Sequence, residues 1–298
     1  MKEYRSGFVG LMGFPNAGKS LLMNALIGEK VSIVTQKPQT TRNRVLGIHS
    51  DDDRQIVFVD APGYIRASKG LNKFLEAEFN SVAEESDALL CCLNIDEQNP
   101  EKIEQMIEMM PTLGKPWTVV ITKRDLGKPH RVGIIQAKLK DYNKEAIVVS
   151  ALEDPDQTQK DILDAVTSLL PQSPGPMYSS ELYTTQSVRD ITRELIRENC
   201  FEHLQYEVPY GLAIQIKKYE EKNGLDRIFA DVIVSNKRHV PIVLGKNGQQ
   251  IKVIGQGARE SLEKMLGKKI YLDLHVSVKE DWMNKKVYME DFGYVHEK

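Results

Sequence analysis

In the first 150 positions, apolar residues fall either into short unbroken runs or into stripes, and the two kinds alternate. Phe8-Val9-Gly10-Leu11-Met12, Asp87 to Ile95, Trp117 to Ile121 and Ala146 to Val149 are runs of the sort shown by strands buried on both faces. Leu21 to Ile27, Leu71 to Glu85 and Pro100 to Met110 repeat apolar residues at three- and four-residue intervals, which predicts helices; the first stops at Gly28. Val45 to His49 and Arg54 to Val59 flank the acidic turn Ser50-Asp51-Asp52-Asp53 and predict an antiparallel hairpin. Strands alternating with helices predict an α/β domain with a mostly parallel, doubly wound sheet.

Pro171-Gln172-Ser173-Pro174-Gly175-Pro176 breaks the pattern. Beyond it Val188, Ile191, Leu195 and Ile196 fall at helical spacing, followed by strand-like runs at Leu212 to Tyr219 and Arg227 to Val234. A short apolar segment, Val240 to Leu244, leads into Gly245-Lys246-Asn247-Gly248. A helical stripe (Ile251, Ile254, Leu262, Met265) and a strand from Lys269 to Val278 complete the order α-β-β-α-GxxG-α-β. That order predicts an α+β domain of the type II KH kind. The expected division is therefore 1–172, a linker at 173–183, and 184–298.

Composition narrows this only a little. The net charge of −2 argues against a basic surface overall. The average hides one patch: Lys237, Arg238, Lys246, Lys252, Arg259, Lys264, Lys268 and Lys269 face only Glu260 and Glu263. Cys91, Cys92 and Cys200 sit in apolar surroundings and read as core, and the histidines lack metal-ligand spacing. No apolar stretch approaches the ~20 residues of a membrane span. With the first strand starting so early, no signal peptide is expected, and the expected location is the cytoplasm.

The chemistry begins at Gly13-Phe14-Pro15-Asn16-Ala17-Gly18-Lys19-Ser20, a G-x-x-x-x-G-K-S loop between a strand and a helix. Gly13 and Gly18 are expected to let successive N–H groups turn toward phosphate oxygens, at the positive end of the helix that follows. Lys19 adds charge for the β and γ phosphates, and the Ser20 hydroxyl suits Mg²⁺. Glu29 to Arg44 is polar and reads as a long mobile loop carrying Thr40-Thr41. Spacing does not choose between these two hydroxyls; Thr41 is taken as the one that reaches Mg²⁺. Asp60-Ala61-Pro62-Gly63 closes a buried strand, placing Asp60 for Mg²⁺ and the Gly63 N–H for a γ-phosphate. Tyr64 follows, where many such enzymes carry a water-positioning Gln. Hydrolysis is then expected to rest on Lys19, Thr41 and backbone donors. Asn16 either braces the loop or holds a K⁺ ion beside the β–γ bridge.

Thr122-Lys123-Arg124-Asp125 follows the next strand. A buried Asp125 carboxylate offers two acceptors to the N1–H and amino donors of guanine, a pair that adenine lacks. Lys123 can lie along the base, and the backbone of Ser150-Ala151-Leu152 can meet the guanine carbonyl. An ATP-dependent enzyme sharing the phosphate loop is the first rival reading, which Asp125 disfavours. A nucleic-acid-binding protein with a static nucleotide domain is the second. In the other half, Gly245, Lys246, Asn247 and Gly248 are expected to clamp a single-stranded backbone, helped by Lys252 and Arg259.

These motifs, with Gln39-Thr40-Thr41-Arg42, resemble the Era-type GTPases of bacteria along essentially the whole chain. The resemblance implies GTP hydrolysis with Mg²⁺ and binding of the 3′ region of small-subunit ribosomal RNA. It also implies a role in 30S subunit assembly and maturation, a monomer, and at most peripheral contact with the inner membrane. Two positions depart from the family pattern. Thr122 stands where Asn is usual, which predicts a weaker loop tether, and Ala61 stands where Thr is usual.

Overall fold

The computed structural model describes residues 3–222 and 224–294. They divide into two compact units, one running to Ala67 and then over Leu75–Thr185, the other holding Ser68–Phe74 and the chain from Gln186.

The chain order in the first unit is β1 (Arg5–Met12), α1 (Lys19–Ile27), β2 (Val45–Ser50), β3 (Arg54–Asp60), α2 (Gly70–Glu85), β4 (Ala88–Asn94) and α3 (Pro100–Thr112). β5 (Trp117–Thr122), α4 (Pro129–Leu139), β6 (Ala146–Val148) and α5 (Pro155–Thr167) follow. The sheet order is β2-β3-β1-β4-β5-β6, parallel throughout except for the β2–β3 hairpin. Alternation along the strands explains the two-sided core. Leu89, Cys91 and Leu93 of β4 pack with Phe79, Met106, Met110 and Ile135 on one face. Ala88, Leu90 and Cys92 pack with Leu22, Leu26, Ile162 and Val166 on the other. α1 and α5 thus cover one face, and α2, α3 and α4 the other. The pattern does not single out α4 and α5; each starts on a proline at its first turn and offers few buried apolar side chains. The ends of β1, β3 and β5 deliver their loops to one edge of the sheet, where such folds bind ligands.

The segment expected as a linker is laid along this unit. Ser173 N donates to Tyr4 O (2.9 Å), and buried Gln55 accepts from Met177 N (2.6 Å) and Tyr178 N (2.8 Å) while donating to Tyr178 O (2.8 Å). Ile48 N donates to Tyr183 O (2.9 Å), and Thr184 forms an antiparallel bridge with Gly47. Prolines at 174 and 176 carry no N–H, so the contact is a strap held at points rather than a seventh strand.

In the second unit α6 (Val188–His203) is followed by β7 (Leu212–Glu220), β8 (Leu225–Val234), α7 (Val240–Leu244), α8 (Gln249–Leu266), β9 (Lys269–Val278) and α9 (Lys286–Asp291). β7 runs antiparallel to β8, and β9 parallel to it. Ile196, Cys200, Ile214, Val232, Val243 and Ile254 form its core. Val188 is exposed, because α6 begins there on a Ser187–Asp190 capping box; its buried face also carries Thr192, Arg197 and Asn199.

Candidate functional site

Each glycine of the phosphate loop has its own reason. Gly18 is left-handed (φ 78°) and caps α1. Gly13 is not left-handed; a Cβ there would lie 2.6 Å from the Cys92 carbonyl oxygen, so close approach excludes a side chain. Asn16 takes the left-handed turn between them (φ 64°), and its carbonyl accepts from Asn94 Nδ2 (3.3 Å). Lys19 is buried and donates to the carbonyls of Gly13 (3.2 Å) and Phe14 (3.1 Å).

Three segments meet at Asp60, which is fully buried. Its Oδ2 accepts from Ser20 Oγ (2.6 Å), Ser32 Oγ (3.2 Å) and Thr41 Oγ1 (3.4 Å), and Ser20 and Thr41 lie 2.9 Å apart. Its Oδ1 is buried with no hydrogen-bond partner among the described residues. Burial pulls the Lys19 ammonium below its ordinary pKa, against the nearby Asp60 charge. Burial likewise pushes Asp60 above its own, against Lys19 and the three hydroxyls. A buried carboxylate with one oxygen gathering the Ser20 and Thr41 hydroxyls and the other unpartnered fits a hard cation such as Mg²⁺, which prefers oxygen ligands. Thr40 is not part of the cluster. It closes the loop on itself through Thr35 Oγ1 (2.6 Å) and Lys37 O (2.8 Å), next to the left-handed Gln39, and this is what turns Thr41 toward Ser20.

The Asp60–Gly63 loop lies on the phosphate loop. A side chain at Gly63 would clash with the backbone of Pro15, and Tyr64 N donates to Gly13 O (3.0 Å). Ala61 and Pro62 are buried, Ala61 in the core. The Tyr64 ring packs edge-on against Phe14 (5.5 Å) and against Phe79 (5.1 Å), and its hydroxyl accepts from Arg66 Nε (2.9 Å).

At the end of β5, Thr122 Oγ1 donates to Ala17 O (2.9 Å), so the hydroxyl supplies the tether that the missing amide was expected to weaken. Lys123 is left-handed (φ 63°), and Arg124 pairs with Asp154. Asp125 is only half-buried, not buried as expected, since it stands on a short 3₁₀ turn that projects past the strand end. Ser150 Oγ donates to its Oδ1 (2.8 Å), so the Ser150 side chain, besides its backbone, belongs here. Ala151 is partly buried and Leu152 is 70% exposed. Asn24, Ser32 and Asn94 escape the sequence reading, because lone polar residues outside any motif carry no spacing signal, and the sequence points to the Ser150 backbone but not to its hydroxyl.

In the second unit Gly245 (φ 69°, ψ 178°), Asn247 (φ 53°) and Gly248 (φ 73°) turn the backbone between α7 and α8. A Cβ at Gly245 would lie 2.5 Å from that of Gln250. Lys246 and Asn247 project between the glycines and are exposed, as are Lys252 and Arg259 on α8. Ile242, Leu244 and Val253 stand exposed around the same turn. One of the lysines counted in the basic patch is used elsewhere: Lys268 pairs with buried Asp226 (2.6 Å), while Lys269 pairs with Glu263 (3.6 Å) inside the patch. The free patch is smaller than the charge count implied.

Comparisons agree with both halves. Residues 8–123 match the family model of the 50S ribosome-binding GTPases, and residues 207–283 match that of the KH domain. The chain is 35% identical over 307 residues to GTPase Era of Desulfovibrio desulfuricans, covering 99% of each. It is 36% identical over 296 residues to GTPase Era of Geotalea uraniireducens, covering 98% of this chain and 99% of the relative. A crystal structure of an Aquifex aeolicus Era variant bound to GDP and AlF4⁻ superposes with a TM-score of 0.91 at 32% identity, over 98% of this chain and 100% of that one. A structure of Era in complex with MgGDPNP and nucleotides 1506–1542 of 16S ribosomal RNA matches equally well, with a TM-score of 0.91 at 32% identity and the same coverage.

Proposed function

The chain belongs to the Era family of GTPases, and we propose that it is a GTP-hydrolysing switch that binds single-stranded ribosomal RNA during assembly and maturation of the small (30S) subunit. The observation that carries this reading is the convergence of Ser20, Thr41 and Asp60 from three segments at the end of the phosphate loop. A loop that contributes one hydroxyl to such a cluster can be held or released as the nucleotide changes.

In this reading the backbone of Gly13 to Ser20 cradles the phosphates, and Ser20, Thr41 and Asp60 hold Mg²⁺. When bound, Mg²⁺ draws charge from the phosphate oxygens as the terminal phosphoryl group leaves. Lys19 exchanges the Gly13 and Phe14 carbonyls for phosphate oxygens, and the Gly63 N–H meets the γ-phosphate. Asp125, braced by the Ser150 hydroxyl, selects guanine, with Lys123, Ala151 and Leu152 around the base. Asn16 supplies its side-chain amide oxygen to a K⁺ ion near the β–γ bridge. In the second unit Gly245 to Gly248 hold an RNA backbone against Lys246, Lys252 and Arg259, beside the apolar Ile242, Leu244 and Val253.

No helix among the described residues is long and apolar enough to cross a membrane. We place the protein in the cytoplasm as a monomer, with any contact to the inner membrane peripheral, on its family likeness. The test is GTP turnover with and without a single-stranded RNA from the 3′ end of small-subunit ribosomal RNA, with ATP as competitor. RNA-dependent turnover that ATP does not inhibit is the expected result; turnover blind to RNA would remove the switch from the proposal.

A further inference from the structure

Ser32 lies outside every motif, yet it is 3% exposed and donates to Asp60 Oδ2 (3.2 Å). Its own place is set by Asn24, one helical turn beyond Ser20 on α1. Asn24 Oδ1 accepts from Val31 N (3.0 Å) and Ser32 N (2.9 Å), and its Nδ2 donates to Ser32 O (2.9 Å). Three hydrogen bonds from one side chain thus pin the first residues of the long loop to the helix that starts at the phosphate loop. Thr41, at the far end of that loop, lacks any such bond to α1 beyond its contact with Ser20.

We infer that Ser32 is a positioning residue for the metal site, acting through Asp60 and anchored by Asn24; this rests on the metal reading of Ser20, Thr41 and Asp60 given above. Of the three hydroxyls on Oδ2, those of Ser20 and Thr41 belong to proposed ligands, and only Ser32 donates without competing for the cation. Ser32 thereby fixes Oδ2, the oxygen that Ser20 and Thr41 also contact, while Oδ1 is buried with no hydrogen-bond partner among the described residues. A buried carboxylate otherwise free to rotate would present either oxygen, and the ordering would have to be supplied on each binding event. The clamp also outlasts the switch. When Thr41 withdraws, Ser32 still holds Asp60, because its hydrogen bonds run to α1 and not to the rest of the loop. Ser32 therefore governs how well Mg²⁺ is retained with GDP, after the terminal phosphate has gone.

The experiment follows release of a fluorescent GDP analogue from the full chain across an Mg²⁺ titration, in the parent and in Ser32→Ala, Ser32→Cys and Ser32→Thr. Loss of a hydrogen bond to a charged group should raise the Mg²⁺ needed for half-maximal slowing by about ten- to a hundredfold in Ser32→Ala and Ser32→Cys. Release in EDTA should stay at the parent rate, and Ser32→Thr should restore the parent titration. Cysteine nearly matches serine in size, so the test stands even where the alanine variant does not fold. An unchanged Mg²⁺ requirement, or release accelerated equally in EDTA, overturns the role of Ser32. A parent whose GDP release ignores Mg²⁺ overturns the metal reading itself, and this role with it.

Discussion

Thr122 Oγ1 sits 2.9 Å from the carbonyl oxygen of Ala17 and 3.3 Å from that of Leu93, joining the loop proposed to read guanine to the phosphate loop through one hydroxyl. Thr122→Val keeps the shape and removes the donor to the Ala17 carbonyl. Such a loss costs about 1–3 kcal/mol, so GTP and GDP should bind roughly ten- to a hundredfold more weakly. Thr122→Ser should bind within about threefold of the parent in a nucleotide titration.

Base selection is expected at Asp125. Asp125→Asn replaces an acceptor with a donor and should trade guanine for xanthine. Competition between GTP and XTP measures this; a variant that binds GTP as tightly as the parent and gains nothing for XTP would move the base-reading site elsewhere.

RNA binding should be lost when Lys246 and Asn247 are both replaced by Asp. The glycines that set the turn remain, while two negative charges stand where a phosphodiester is expected. GTP binding should survive, and the parent's RNA affinity should fall steeply with salt. Filter binding at several salt concentrations separates the two variants.

Tyr64 offers no base for water, since its hydroxyl is engaged by Arg66 and its ring is packed between Phe14 and Phe79. Tyr64→Ala should therefore keep turnover within about tenfold, or ~1.4 kcal/mol of barrier. Turnover should be faster in K⁺ than in Na⁺ at equal ionic strength, and Asn16→Ala should erase that difference. Single-turnover hydrolysis with saturating GTP reads both.

Asp226 gives the second unit a pH dependence. Burial pushes its pKa up, but Lys268, the Tyr219 hydroxyl and the Lys222 N–H outweigh this and hold it below the ordinary 3.8. The folded state then binds the proton less readily than the unfolded chain. The stabilisation is full above the unfolded pKa and fades as pH falls through the folded one. Lys268→Ala should lower the thermal midpoint of the second unit at pH 7, and the gap from the parent should narrow as pH falls below the ordinary carboxylate pKa of 3.8.

What the residues made legible was whatever repeats or has a fixed spacing. The strand runs of the first sheet read correctly because both faces are buried, as Leu89 and Leu90 on opposite clusters illustrate. Gly18 takes the left-handed turn expected of it, whereas Gly13, expected to turn in the same way, is a glycine because of the nearby Cys92 carbonyl. Thr40 and Thr41 could not be told apart, since the choice depends on a local ring of hydrogen bonds among Thr35, Lys37 and Thr40. Asn24 and Ser32 were invisible for a related reason: their partners come from tertiary proximity. Lys268 misled because a charge count cannot see a buried aspartate 42 residues upstream, Asp226.

β2 is one of the two edge strands of its sheet, positions from which open backbone groups recruit foreign strands. Along Leu46, Gly47 and Ile48 those groups are already taken, by Tyr183 and Thr184. The strap thus serves as the hem of the sheet. A fragment cut at residue 172 would keep the nucleotide motifs intact yet bare a strand margin, and should self-associate more readily than the full chain.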